Sequence, residues 1–384
     1  MDKHPRILFI DQAKDVGGAE LSLISIAKSL PESEILAFVE GTFTDALEKN
    51  GINHECLNLD AEILSLSKEK ANLIRIVLSF SKLIFSMLKI SSVIKNFDVI
   101  VFNTQKSLIL GAIAAKFQRK KTIFFLHDIL SIDHFNKFNL LLINIFTANF
   151  CDVIIANSRA TARAVEKLNP KKKLKIKVIH IGISQKIELK NDNKIFTKKS
   201  LGLSKNKIVG SFSRIARWKG QHILIESLEH LPKYIHCLIV GSPFFGEEAY
   251  YGYLQQIASR PILKDRVHFI PFKTDPLSLM RLCDIVTHNS TAPEPFGRII
   301  VEGMLCKKPV IATNMGGAKE IIRNNKSGYL IEPGDPQLLA RTILAIFSNK
   351  DEARSITKEA YETAVRNFSE DKMTARIKKI INNI

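Results

Sequence analysis

The chain has 384 residues, long enough for two domains of ordinary size, and its 46% apolar content can fill two cores, which excludes global disorder. The formal net charge is +18, split as +8 over residues 1–190 and +10 over residues 191–384, so the excess is not a basic tail. It points to an anionic partner (nucleic acid, anionic lipid or a phosphorylated small molecule) or else to a lysine-rich, well-solvated surface.

Short apolar runs alternate with longer helical patterns along the whole chain, the signature of βαβ units and parallel sheets. The first strand falls at 6–11. It begins so close to the N-terminus that no signal peptide is expected. Gly17, Gly18, Ala19 and Glu20 follow, then a helix over 21–30. The two glycines allow close backbone approach, and the helix start offers N–H groups to an anion. An ordinary tight strand–helix turn would look the same, and G-x-G-x-x-G is absent. Further strands are expected at 35–39, 98–103, 122–127, 152–157 and 177–181. Residues 72–97, apolar with Lys82, Lys89 and Lys95, read as a core helix or as a monotopic contact with an anionic membrane. Lys171, Lys172 and Lys173 would extend the same basic face. His127 ends a strand, placed to hydrogen-bond a substrate or simply to cap the strand.

A polar stretch at 185–200 reads as a linker. A second α/β series follows, with strands at 207–213, 235–240, 267–271, 284–288, 309–313 and 328–331. Two doubly wound domains flanking a cleft are the natural architecture, with ligands at the carboxyl ends of the strands. Arg214 and Lys219 lie at the end of the first strand of this half. They suit a diphosphate, or a solvated basic loop. The densest signal is the run from Ser290 to Glu302. Glu294 is expected at a helix entrance with Pro295 in the first turn, which puts Glu302 two turns further, about 12 Å along the axis. Glu302 can accept both hydroxyls of a ribose, Glu294 those of a sugar, and Gly297 lets a ligand approach; the alternative is an ordinary helix with a capping acid and a solvent-facing acid.

Five scattered cysteines without a C-x-x-C pair suggest free thiols in a reducing compartment, hence the cytoplasm. No run is long and apolar enough for a spanning helix. No D-x-D motif or metal-spaced His/Cys cluster appears, so neither a metal nor another cofactor is expected. The aromatics are mostly Phe inside apolar runs, with one Trp, which argues against nucleic-acid binding.

Over nearly its whole length the chain resembles the GT-B-fold retaining glycosyltransferases of family 4. The resemblance rests on Gly17 to Glu20, His127-Asp128, Ala156-Asn157-Ser158, Ser213-Arg214 with Lys219-Gly220, the run from Ser290 to Glu302, Gly316-Gly317 with Glu320, and the run from Gly328 to Gly334. It implies two Rossmann-like domains with an interdomain cleft: residues 1–188 for the acceptor, 189–368 for the nucleotide-sugar, and a C-terminal helix in 369–384 packing back on the first domain. It further implies that Arg214 and Lys219 hold the diphosphate and Glu302 the ribose. Glu294 contacts the donor sugar, Phe296 and Gly297 present backbone N–H groups, His127 lies near the sugar, and Gly17 and Gly18 leave room for phosphates and acceptor. The expected activity moves a sugar from a UDP- or GDP-linked donor to a glycan or lipid-linked acceptor in cell-surface polysaccharide synthesis, at the cytoplasmic membrane face. An epimerase, a phosphorylase or a non-catalytic scaffold of the same fold are the alternatives. Three positions depart from the family pattern: Ser213 for Gly, Gly303 for Ala, and His180-Ile181-Gly182 for Pro-Asn-Gly.

Overall fold

The computed structural model describes residues 5–59, 73–132, 135–184, 196–244, 246–271 and 276–384. Most of the linker expected at 185–200 lies outside these residues. The chain divides into two compact units, residues 1–182 with 370–384, and residues 183–369.

In the first unit the order is β1 (Ile7–Asp11), α1 (Gly18–Lys28), β2 (Ser33–Ala37), α2 (Thr42–Lys49), β3 (His54–Cys56), α3 (Leu73–Ile94), β4 (Val99–Phe102), α4 (Gln105–Phe117), β5 (Lys121–Leu126), α5 (Lys137–Phe150), β6 (Val153–Ala156), α6 (Arg159–Leu168) and β7 (Ile176–Val178). The strands form one parallel sheet in the order β3-β2-β1-β4-β5-β6-β7. Alternate residues of β1, β2, β4, β5 and β6 feed two cores, one per face, so most of these strands read as continuous apolar runs. Leu8, Ile10, Ile100 and Phe124 pack beneath α3, α4 and α5. Ile7, Phe9, Val101 and Ile123 pack against α1, α2 and the C-terminal helix α14 (Glu370–Ile381). The polar strand β3, His-Glu-Cys, has no apolar signal and escapes a sequence reading; it is an edge strand.

Helix α3 covers most of the expected helix at 72–97 and turns one side to the core. Ser86, Ile90 and Ile94 are buried beneath it, while Ile84, Phe85 and Leu88 face solvent.

The second unit contains β8 (Lys207–Phe212), α7 (Gln221–Ser227), β9 (Ile235–Val240), α8 (Glu248–Ala258), β10 (Val267–Ile270), α9 (Pro276–Leu282), β11 (Ile285–His288), α10 (Arg298–Leu305), β12 (Val310–Thr313), α11 (Ala318–Ile321), β13 (Tyr329–Ile331), α12 (Pro336–Ser348) and α13 (Lys350–Asn367). Its parallel sheet runs β10-β9-β8-β11-β12-β13. Cys237, Cys283 and Cys306 are buried, Cys56 and Cys151 half-buried, and all five are free thiols.

Candidate functional site

In each sheet the strand order reverses direction once, at β1/β4 and at β8/β11. Loops leaving two such neighbours diverge to opposite faces and open a crevice at the carboxyl ends. His127 in the first unit, and Lys219 with Glu294 in the second, gather at or beside these two points, whereas Glu302 lies within α10 (Arg298–Leu305).

In the first unit Asp11 closes β1, Asn103 follows β4 and His127 follows β5. They form a chain: Asn103 Nδ2 donates to Asp11 Oδ2 at 2.6 Å, and His127 Nε2 lies 2.8 Å from Asn103 Oδ1. Since the amide oxygen can only accept, Nε2 carries the hydrogen. Asn157 Nδ2 steadies the His127 carbonyl at 3.1 Å, and Gln105 holds Asp128 at 2.6 Å. The His127 residue keeps some exposed atoms, but its ring is shielded, and burial lowers the imidazole to about 4 despite Asp128. It is neutral at physiological pH.

Gly17 caps α1 and Gly18 opens it. The Gly17 N–H donates to Glu20 Oε2 at 2.8 Å. Burial, with the nearby Asp11 carboxylate, raises Glu20 to about 7, and burial raises Asp11 to about 6. The buried acid pair and the Asn103 link went unnoticed in the sequence, where Asp11 and Asn103 look like ordinary strand ends.

In the second unit the centre is Glu294. Lys219 Nζ lies 2.7 and 2.6 Å from its two oxygens, His288 Nε2 lies 3.1 Å from Oε2, and Ser290 Oγ donates to Oε2 at 3.0 Å. Burial alone would raise this carboxyl; Lys219 and His288 overcome it and hold it well below the usual carboxylate range. Burial pulls the Lys219 ammonium down, and Glu294 opposes that. The Lys219 ammonium also stands 4.1 Å from the centroid of Trp218, with the exposed Arg214 guanidinium at 5.7 Å from the same ring. His288 was legible only as a strand end; its role as a carboxylate partner comes from the loop that folds Glu294 back over it.

The segment around Glu294 differs from the expected helix entrance. Pro295 disfavours helical backbone at Glu294, and Gly297 sits at φ +96°, a left-handed conformation that interrupts a helix. Helix α10 therefore starts at Arg298, with Gly297 as its cap. Glu294 lies in an irregular segment before it, so the expected rise of two helical turns from Glu294 to Glu302 does not apply. Gly316 and Gly317 lie directly against this segment. Gly317 N donates to the Glu294 carbonyl at 2.8 Å, and a Cβ on Gly316 would stand 2.2 Å from that same oxygen.

Phe296 is buried and packs edge-on against Phe368 at 5.8 Å, anchoring the loop. Glu302 is buried in α10 and accepts from Arg298 Nε at 2.8 Å. Among the described residues no three His, Cys, Asp or Glu side chains group as metal ligands.

Two doubly wound parallel sheets with these polar clusters at their reversal points define a glycosyltransferase of the GT-B class. Residues 16–186 match the profile described as Glycosyltransferase Family 4, and residues 192–363 that of Glycosyl transferases group 1. The chain is 35% identical to HepE of Anabaena, solved in complex with UDP and glucose; the likeness covers 99% of this chain and 100% of that one, with a TM-score of 0.88. It is 26% identical to the capsular polysaccharide biosynthesis glycosyltransferase CapM of Staphylococcus aureus, over 94% of this chain and 96% of that protein. Spore coat protein SA of Bacillus subtilis is 30% identical over 44% of this chain; the chain spans about half, 47%, of that relative's length. The chain belongs to the family 4, group 1 glycosyltransferases.

Proposed function

We propose that this protein transfers a sugar, with retention of anomeric configuration and without a metal ion, from a UDP- or GDP-linked donor. The acceptor is read as a glycan or lipid-linked glycan in bacterial cell-surface polysaccharide synthesis. The observation that carries the reading is the buried Lys219–Glu294–His288 cluster, with Arg214 beside it, at the reversal point of the second sheet. The likeness to HepE, which binds UDP and UDP-glucose, supports the donor class, and the likeness to CapM supports the kind of pathway.

In this reading Arg214 and Lys219 offset the charge that develops on the leaving diphosphate, doing the work a metal would otherwise do. Glu294, ionised and fixed by three partners, accepts hydroxyls of the donor sugar and holds its ring against the leaving group. Glu294 is read as a sugar-binding group, not as a covalent nucleophile. The acceptor then attacks the face the diphosphate leaves, and the diphosphate takes its proton. Phe296 and Gly297 present backbone N–H groups to the donor, Glu302 takes the ribose, Gly17 and Gly18 leave room for substrate, and neutral His127 contacts the sugar.

Calorimetry with UDP, GDP and ADP, then NMR of the product anomer, tests the proposal. Saturable binding of UDP or GDP and a retained anomer are expected. An inverted anomer, or turnover abolished by EDTA and restored by Mg²⁺, would overturn it.

A further inference from the structure

We propose that the outer face of the helical layer formed by α3 (Leu73–Ile94), α4 (Gln105–Phe117) and α5 (Lys137–Phe150) docks on an anionic membrane surface. Single exposed apolar side chains are ordinary. Here they concentrate. Among the described residues, nine of the twelve large exposed apolar side chains belong to the first unit, and eight of those fall between Ile84 and Ile145. Phe117 is 85% exposed, Phe138 66%, Leu88 62% and Phe85 59%.

The topology brings them together. Helix α4 packs between α3 and α5, and all three cover one face of the first sheet. Each helix turns one side to the core: Ile90 and Ile94 from α3, Leu108 and Ala112 from α4, Leu140 and Ile143 from α5. The opposite sides of α3 and α5 present apolar residues at helical spacing, Phe85 with Leu88 and Phe138 with Leu141. A soluble surface helix would put polar residues there.

The charge of the layer selects the partner. The three helices contain six Lys or Arg and no Asp or Glu. The other described helices of this unit each carry at least one acid: Glu20 in α1, Asp45 in α2, Glu166 in α6 and Glu370 in α14. Lys89 Nζ stands 4.8 Å from the Phe85 ring centroid, an apolar group and a cation side by side as a lipid interface requires. Lys116 and Lys137 flank Phe117 and Phe138 in sequence. A second copy of this surface would set like charges against each other, whereas anionic head groups complement them. No helix of the described residues is long and apolar enough to cross a membrane, so the contact is monotopic.

The inference does not depend on the identity of the donor. It is tested by sedimentation with phosphatidylcholine vesicles with and without phosphatidylglycerol, using the full chain. Binding to anionic vesicles should be at least about tenfold tighter than to neutral ones and should weaken steeply with salt, since each basic residue near such a surface contributes about fivefold. F85S/L88S/F138S/L141S and, separately, K89E/K116E/K137E should each lose at least about tenfold in vesicle binding. Their circular dichroism and UDP affinity should match the parent; UDP binding separates failure here from failure of the catalytic reading. Equal binding to neutral and anionic vesicles would overturn the proposal. So would an unchanged apolar variant, or a parent dimer that the apolar variant converts to monomer.

Discussion

Lys219 and Glu294 form a bidentate ion pair across 75 residues of sequence, with both side chains largely shielded from water. Breaking such a pair from one side strands a charge and costs about 3–5 kcal/mol. Lys219→Met should therefore destabilise the protein by that order. Lys219→Met combined with Glu294→Gln should cost less than the sum of the two single changes. Urea unfolding of the four proteins in a double-mutant cycle measures this, and additive losses would mean that the pair is not coupled.

The two acids of the Glu294–Glu302 segment sit in different surroundings, and their substitutions should separate. Glu302→Gln removes a charge-assisted acceptor and should weaken nucleotide binding about 10- to 100-fold. Glu294→Gln should leave nucleotide binding within about threefold and depress kcat by about two orders of magnitude or more. Calorimetry with the nucleotide and steady-state rates with the sugar donor give the split. Equal effects from the two would contradict the division of roles.

Gly316 has φ +53° and lies against the Glu294 backbone. A methyl group there must push the loop away, and no flexible side chain stands in between to give way. Gly316→Ala should destabilise by about 2–4 kcal/mol and lower kcat/KM at least as strongly as Glu294→Gln. Thermal unfolding and initial rates check it; wild-type values for both would mean the loop is soft.

The first-unit cluster makes stability depend on pH in two opposed ways. Glu20, raised to about 7, holds its proton more tightly folded than unfolded. Its contribution is full below pH about 4.5 and is lost as pH rises through about 7. Asp11, raised to about 6, acts in the same sense. His127, lowered to about 4, contributes fully above pH about 6.5 and loses this as pH falls through about 4. Glu20→Gln should therefore gain stability relative to the parent between pH 5 and 8, by at most about 3 kcal/mol. His127→Gln should flatten the acid side. Urea midpoints across this range report both, and a parallel pair of curves for Glu20→Gln and parent would refute the assignment.

The strands were legible because a parallel sheet covered on both faces demands apolar residues at nearly every position, as Ile7 to Ile10 and Ile123 to Leu126 show. Strand β3 was not, since an edge strand can be polar. The charged site residues were legible as types in order: Arg214, Lys219, Glu294 and Glu302 stand out in otherwise apolar surroundings. Their partners were not. That Glu294 would meet His288 depends on a loop bent by Pro295 and Gly297, and sequence periodicity describes only regular elements. The link from Asp11 through Asn103 to His127 joins neighbouring strands whose bonded residues lie up to 92 positions apart in sequence, a contact that only the strand order brings about.

Helix α14 completes the first unit. Met373, Ile377 and Ile381 enter the same core as Phe9 and Val101, and Met373 Sδ receives the Gly182 N–H at 3.1 Å. Segments that flank the second unit in sequence thus share one core. On the ribosome, the strands made first lack part of their packing until the last helix emerges. At ordinary elongation rates that interval is roughly 10 to 40 s. During it, apolar side chains of the nascent sheet stay uncovered and are open to chaperones, and a premature stop anywhere in the second unit would leave them so for good.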